Sequence, residues 1–250
     1  MLLDGKVTVI SGAAGAHGIG LATARLFAEH GARVVVLDLD AAATRAAAAS
    51  LGDGHLGIAC DVTDRAACAR AAEQTLTAFG HVDALVNNAG IAQPLALMDI
   101  TPEAWQAVID VNLRGTLYLS QAFIPALRAQ RRGAIACVSS VAAQRGGGIF
   151  GGPHYAASKA GVLGLAKSMA RELGPDGIRV NCVTPGPIQT DIFGDRLSAA
   201  MRQDLVRAIP LGRLGEARDV AGALLFLASD LSCFVTGAVI DVNGGLLIHG

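Results

Sequence analysis

Charge is scarce in this sequence. Asp, Glu, Lys and Arg make up 16% of the 250 residues, and 20 basic side chains nearly balance 21 acidic ones. A formal net charge of −1 leaves no electrostatic footprint for nucleic acid or an anionic membrane surface. The only basic cluster, Arg128 to Arg132, sits where cations suit a helix C-terminus, which makes it a solvated helix end. No run of 18 apolar residues occurs, so no transmembrane helix is expected. The first ten residues, MLLDGKVTVI, carry Asp4 and Lys6 and no long apolar core, so no signal peptide is expected there. Cysteine pairing is missing as well. The five cysteines (Cys60, Cys68, Cys137, Cys182, Cys233) are odd in number and include no Cys-x-x-Cys pair. They read as free, mostly buried thiols of a reducing cytoplasm, with no metal site. No fixed-period repeat or low-complexity linker divides the chain, and one domain over 1–250 is expected.

What is present is apolar: 52% of the residues. With so little charge, part of that surface is expected to be covered by further copies of the chain. Short β-branched runs alternate with Ala-rich stretches. The runs are KVTVI, RVVVLD, LGIAC, ALVNN, GAIACVSS, RVNCVTP and AVIDVNGG. Near-continuous apolar strands mean burial on both faces, as in a parallel sheet. Helices are expected over 18–30, 41–51, 64–79, 102–130, 154–174 and 218–229. Asp64 and Thr101-Pro102 mark starts, and Gly31, Gly80 and Gly174 mark left-handed ends. The pattern predicts an α/β fold: a single doubly wound, Rossmann-like parallel sheet of about seven strands with helices on both faces.

The stretch VTVISGAAGAHGIG runs from a strand through glycines into a helix. Glycines let backbone approach a pyrophosphate, and the helix start supplies N–H donors and partial positive charge. The second strand ends in Asp38, followed by Leu39. A carboxylate there accepts hydrogen bonds from the adenosine ribose hydroxyls and repels a 2′-phosphate, so NAD is preferred over NADP. The competing reading of Asp38 is a helix N-cap.

With GAAGAHGIG, LDLD, DVTD, NNAG, SSVAA and YAASK in this order, the chain resembles the short-chain dehydrogenase/reductase family over Lys6 to Gly245. The resemblance implies a hydride transfer between a secondary alcohol and nicotinamide. It implies cofactor contacts from Gly12, Gly18, Ile19 and Gly20, from Asp61-Val62 around the adenine, and from Asn88-Ala89-Gly90 beside the ribose. It also implies contacts from Pro185-Gly186, Ile188 and Thr190 at the carboxamide. Asn112, Ser140, Tyr155 and Lys159 match the catalytic set, and Tyr155 and Lys159 also meet the cofactor. Two departures stand out. Five residues separate Gly12 from Gly18 where three are usual, a spacing nearer the enoyl-reductase branch, although that branch spaces its tyrosine and lysine further apart. Ser140 and Tyr155 are also slightly further apart than the family's habit, and the extra residues fall among glycines.

A free tyrosine is a poor base at neutral pH, because its pKa is about 10. Lys159, one helical turn on, is expected to lower it as a nearby cation, together with the oxidised nicotinamide. Ser140 would hydrogen-bond the reacting oxygen, and Asn112 would anchor a water that continues the proton relay. Substrate contacts are expected from three loops, 91–98, 142–154 and 189–201, with Gln144, Ile149, Phe150, His154, Gln189 and Phe193 as candidates. Their mixture suits a sugar, polyol or hydroxy acid. The segment after TPGPIQTD is expected to act as a lid. The alternatives are a carbonyl reductase of the 3-oxoacyl type and a catalytically silent NAD-binding regulator. The helix over 102–130, the helix after Tyr155 and the C-terminal strand resemble the surfaces that build the family's tetramers, so a homotetramer is expected.

Overall fold

The computed structural model describes residues 1–147, 150–191 and 197–248. Seven strands form one parallel sheet: β1 (Val7–Ser11), β2 (Arg33–Asp38), β3 (Leu56–Ala59), β4 (Ala84–Asn87), β5 (Gly133–Val138), β6 (Ile178–Pro185) and β9 (Val239–Val242). They lie in the order β3-β2-β1-β4-β5-β6-β9. The chain winds outward in one direction from β1 to β3, then returns to β4 and winds in the other. Crevices that take ligands open where the winding reverses, here between β1 and β4. A separate two-stranded ribbon pairs β7 (Ile188–Gln189) with β8 (Gly215–Glu216).

Every strand residue from Val7 to Ser11 and from Val34 to Leu37 is buried, as a two-sided sheet requires. The period of two is visible in how the core divides. Val7, Val9, Val35 and Leu37 pack on one face, and Ile10, Val34 and Val36 pack on the other. The first face is covered by α3 (Arg65–Phe79), α5 (Gly115–Gln130) and α7 (Pro153–Leu173). The second is covered by α1 (Ile19–Glu29), α2 (Ala41–Ala49) and α9 (Ala217–Ala228).

Helix ends follow the local chemistry. Asp64 caps α3 through the Ala66 N–H, and Gly80 ends it at φ +77°. Thr101 caps α4 (Pro102–Ile109) through the Ala104 N–H, with proline in the first turn. Gly31 also has positive φ, but Gly174 does not. It continues right-handed into a short 3-10 turn, and Gly177 (φ +74°) makes the left-handed exit, because Pro175 supports a further turn before the chain reverses. The helix expected over 102–130 has one interruption: Asp110–Arg114 forms a π-turn between α4 and α5. The Arg128 to Arg132 cluster does close a helix end. It is held by ion pairs from Arg128 to Glu172 and Asp176, from Arg131 to Asp176 and from Arg132 to Asp83.

Candidate active site

A cleft of about 410 Å³ opens at the carboxyl ends of the strands. One wall is the loop after β1. Gly12 sits at φ +63°, and a side chain there would meet the Ala89 backbone at 2.8 Å. One at Gly20 would meet the Gly12 carbonyl oxygen at 2.3 Å. These glycines allow the loop, α1 and the segment after β4 to touch. Asn88 locks the contact. Its amide donates to the carbonyls of Ser11 and Gly12, both at 2.9 Å. Ser11 Oγ accepts from the Asn88 and Ala89 N–H groups. The sequence had marked Asn88 for the cofactor but carried no sign that its partner would be Ser11.

α1 begins at this loop with Gly18 as N-cap and no side-chain cap. By contrast, α2, α3 and α4 start with Asp40, Asp64 and Thr101 bonded to first-turn N–H groups. The open donors and positive dipole end of α1 fit a pyrophosphate. Asp38 lies at the other end of the same wall. Its carboxylate accepts from the Ala14 N–H at 2.9 Å and from the Leu39 N–H at 2.8 Å. The capping alternative for Asp38 is removed, because Asp40 caps α2. Asp38 therefore holds the glycine loop and keeps lone pairs toward the cleft that it lines. Asp61 braces its own turn by accepting from Thr63 N and Oγ1, and Val62 is buried beside Gly115. Leu39, Gly90, Pro185, Gly186, Ile188 and Thr190 also line the cleft. The residues present thus fit a dinucleotide.

At the inner end of the cleft the catalytic candidates converge. α7 places Tyr155 and Lys159 on one face, and Ser140 follows the end of β5. Ser140 and Tyr155 line the cleft together, and Ser140 Oγ accepts from the Ala142 N–H at 3.1 Å. Lys159 is buried. Its Nζ donates to the Val138 carbonyl at 2.9 Å and lies 5.9 Å from the centre of the Tyr155 ring. The charge balance differs from expectation. Burial pushes the Tyr155 pKa above its ordinary value, against a smaller opposing effect of the neighbouring Ser140 hydroxyl. Burial also depresses Lys159 to about 8. The protein alone does not acidify the tyrosine, because its ammonium is spent on a carbonyl and is itself costly to keep charged.

Asn112 stands in the π-turn, fully buried. Its Oδ1 accepts from the Ile91 N–H at 2.9 Å, and its Nδ2 donates to the Ile91 carbonyl at 3.0 Å and to Ser158 Oγ at 2.9 Å. Both amide hydrogens are committed, which leaves one Oδ1 lone pair for a water. Ile91 and Ser158 carried no chemical signal in the sequence, since their role depends on where the widened turn delivers the amide.

The substrate candidates are placed differently. His154 is fully buried and outside the cleft lining, with Nε2 at 3.1 Å from Gln93 Oε1. It is neither solvent-facing nor an exposed pocket wall, because α7 begins against the 91–98 loop. Gln189 Oε1 accepts from Arg202 at 2.6 Å, which ties β7 to α8 (Ala199–Ala208) and not to the cleft. Gln144 is half-buried in α6 (Ala142–Arg145). Phe150 packs in a small apolar cluster with Leu197, Leu205, Val206, Ile209, Leu214 and Leu246. Ile149 and Phe193 lie outside the described residues. The cleft adds Gly15, Cys60, Ile91, Val111, Val138, Ser139 and Asp191, none of which had been named as a site residue. Among the described residues no group of three or more His, Cys, Asp or Glu is placed to hold a metal ion, and no helix is long and apolar enough to cross a membrane.

One end of this cleft suits a dinucleotide and the other handles a proton, the division of labour of a nicotinamide-dependent oxidoreductase. Comparison with known proteins agrees. A family model described as enoyl-(acyl carrier protein) reductase matches residues 12–247. An uncharacterized short-chain type dehydrogenase/reductase of Sinorhizobium fredii is 64% identical over 253 residues, covering all of both chains. A 3-oxoacyl-(acyl-carrier-protein) reductase of Thermotoga maritima is 43% identical, over 99% of this chain and all of that one. A crystal structure of a short-chain dehydrogenase/reductase of Brucella melitensis, described as a glucose/ribitol dehydrogenase, superposes with a TM-score of 0.92 at 33% identity, over 99% of each chain. The chain belongs to the short-chain dehydrogenase/reductase family, and is an oxidoreductase of that fold.

Proposed function

We propose that this protein transfers hydride between NAD and a secondary alcohol or its ketone, with residues 1–250 acting as one functional domain. The observation that carries the reading is the convergence of Ser140, Tyr155 and buried Lys159 in the same cleft as the glycine loop. The bound nicotinamide would supply the hydride chemistry and, when oxidised, a positive charge. Tyr155 takes the hydroxyl proton during oxidation and returns it during reduction. Its raised pKa keeps the phenol protonated before reduction, and the oxidised nicotinamide's charge is what favours the phenolate in the oxidation direction. Ser140 orients the substrate oxygen. Lys159, held by the Val138 carbonyl, meets the nicotinamide ribose. Asn112 fixes the floor of the relay through Ile91 and Ser158.

NAD is favoured by the charges of the cleft. Its described lining holds the carboxylates Asp38, Asp61 and Asp191 and a single cation, Lys159 at the inner end. A 2′-phosphate would face Asp38 with no lining guanidinium or ammonium beside it. For the substrate, a sugar, polyol or hydroxy acid is the first reading, and the glucose/ribitol-type neighbour supports it. A 3-oxoacyl substrate is the second. The 3-oxoacyl reductase relative favours it.

The test is a panel of polyols, hydroxy acids and 3-oxoacyl thioesters, followed at the NADH absorbance with NAD(H) and NADP(H) in parallel. Turnover is expected with NAD(H) preferred, and Tyr155→Phe is expected to lose it at least about 100-fold while still binding the cofactor. Near-normal turnover in that variant would remove Tyr155 from its role. A preference for NADP(H) would overturn the use made of Asp38.

A further inference from the structure

The two extra residues of the glycine loop put His17 within reach of the opposite side of the cleft. Its imidazole Nδ1 lies 3.0 Å from Asp191 Oδ1, and its backbone N–H points to Asp191 Oδ2 at 3.4 Å. The partners are 174 positions apart in sequence. His17 stands one residue before the cap of α1, and Asp191 directly follows Thr190. Gly15 and Gly18 line the cleft from the first side, and Thr190 and Asp191 line it from the second. The pair therefore joins the two margins of the cleft outside the place where the pyrophosphate would lie against α1.

We propose that His17 and Asp191 form a clasp that retains the dinucleotide, and that opening it is a step in cofactor release. The inference rests on the nicotinamide reading of the cleft. Asp191 unpaired would put a carboxylate at the mouth of a site that must admit a pyrophosphate. Engaged by His17 through two donors, the same carboxylate is turned into a tie across the mouth. A purely structural role is a poor account of the pair. Both side chains are largely exposed, at 77% and 61%, and polar pairs so exposed add little to folding stability.

The experiment measures the dissociation rate of the reduced cofactor by stopped-flow fluorescence in the full-length protein. It uses whichever of NADH and NADPH the parent binds more tightly. His17→Ala and Asp191→Ala are each expected to speed release about two- to five-fold, the range for one exposed polar pair. The double variant is expected to be no faster than either single one. Exchanging the partners, His17→Asp with Asp191→His, is expected to return the rate toward that of the parent. Melting temperatures without nucleotide are expected to be unchanged, a readout that a structural role would move. Parent-like rates in both single variants would overturn the clasp, and so would effects that multiply in the double. Faster release in His17→Ala alone would mean that His17 holds the phosphates directly, which also overturns it. Failure of the parent to bind either nucleotide would instead refute the cofactor reading.

Discussion

Lys159 is the most expensive side chain of the site. Its ammonium is fully enclosed, with the Val138 carbonyl as its hydrogen-bond acceptor, and burial depresses its pKa from 10.5 to about 8. Between those two values the unfolded chain holds a proton that the folded protein has released, so stability rises as pH climbs from 8 to 10.5. Below pH 8 the enclosed charge costs roughly 3 kcal/mol. Tyr155, with a raised pKa, works in the opposite sense above pH 10, where only the unfolded chain ionises. Lys159→Met is therefore expected to abolish turnover and yet stabilise the cofactor-free protein at pH 7 by about 1–3 kcal/mol. That gain should shrink as pH approaches 10. Urea denaturation at pH 7 and pH 9.5 checks both the sign and the trend. A variant no more stable than its parent at pH 7 would mean that the bond to Val138 outweighs the burial.

At the scale of elements, the glycines before α7 divide into two kinds. Gly146 (φ +87°) and Gly147 (φ +94°) make a turn, and a side chain at Gly146 would meet nothing within 4 Å. Gly151 and Gly152 are needed for contact. A Cβ at Gly151 would lie 2.3 Å from Cδ1 of Tyr155, and one at Gly152 would lie 2.4 Å from the Leu95 carbonyl oxygen. The stretch therefore wedges the tyrosine ring and seats α7 on the 91–98 loop. Gly151→Ala is expected to lower kcat at least about ten-fold by displacing the ring, since misplacement of about 1 Å is costly to catalysis, and to leave nucleotide titrations unchanged. Gly146→Ala is expected to cost about 1 kcal/mol of stability and little activity. Equal losses of activity in the two would refute this division. The strands and most helix limits were legible in apolar periods, the Tyr155–Lys159 pairing in one helix face, and Ser140 through the family resemblance. The placement of His154, Gln189 and Phe150 was not. Each depends on which neighbouring segment a loop meets, and no local pattern encodes that.

At the scale of the whole molecule, apolar groups remain uncovered. Phe234, Leu231, Trp105 and Met98 are exposed, and β9 pairs with β6 on only one side. An open edge strand and exposed large apolar side chains are features that association commonly covers. Four chains of 25.4 kDa are expected to assemble, giving about 100 kDa by light scattering. A clean monomer would contradict that assembly.

The π-turn at Asp110–Arg114 bears on how such a molecule is read. Each residue of an α-helix advances the face by about 100°, so one extra residue in a turn acts as a phase shift. α4 and α5 form one continuous rod written in two frames. The first buries only Val108, and the second sinks Leu119, Phe123 and Leu127 into the core. A periodic reading carried across 102–130 superimposes the two frames and blurs both. The residue at the seam, Asn112, is thereby freed from either stripe, and its amide reaches Ile91, at the rim of the cleft, and Ser158.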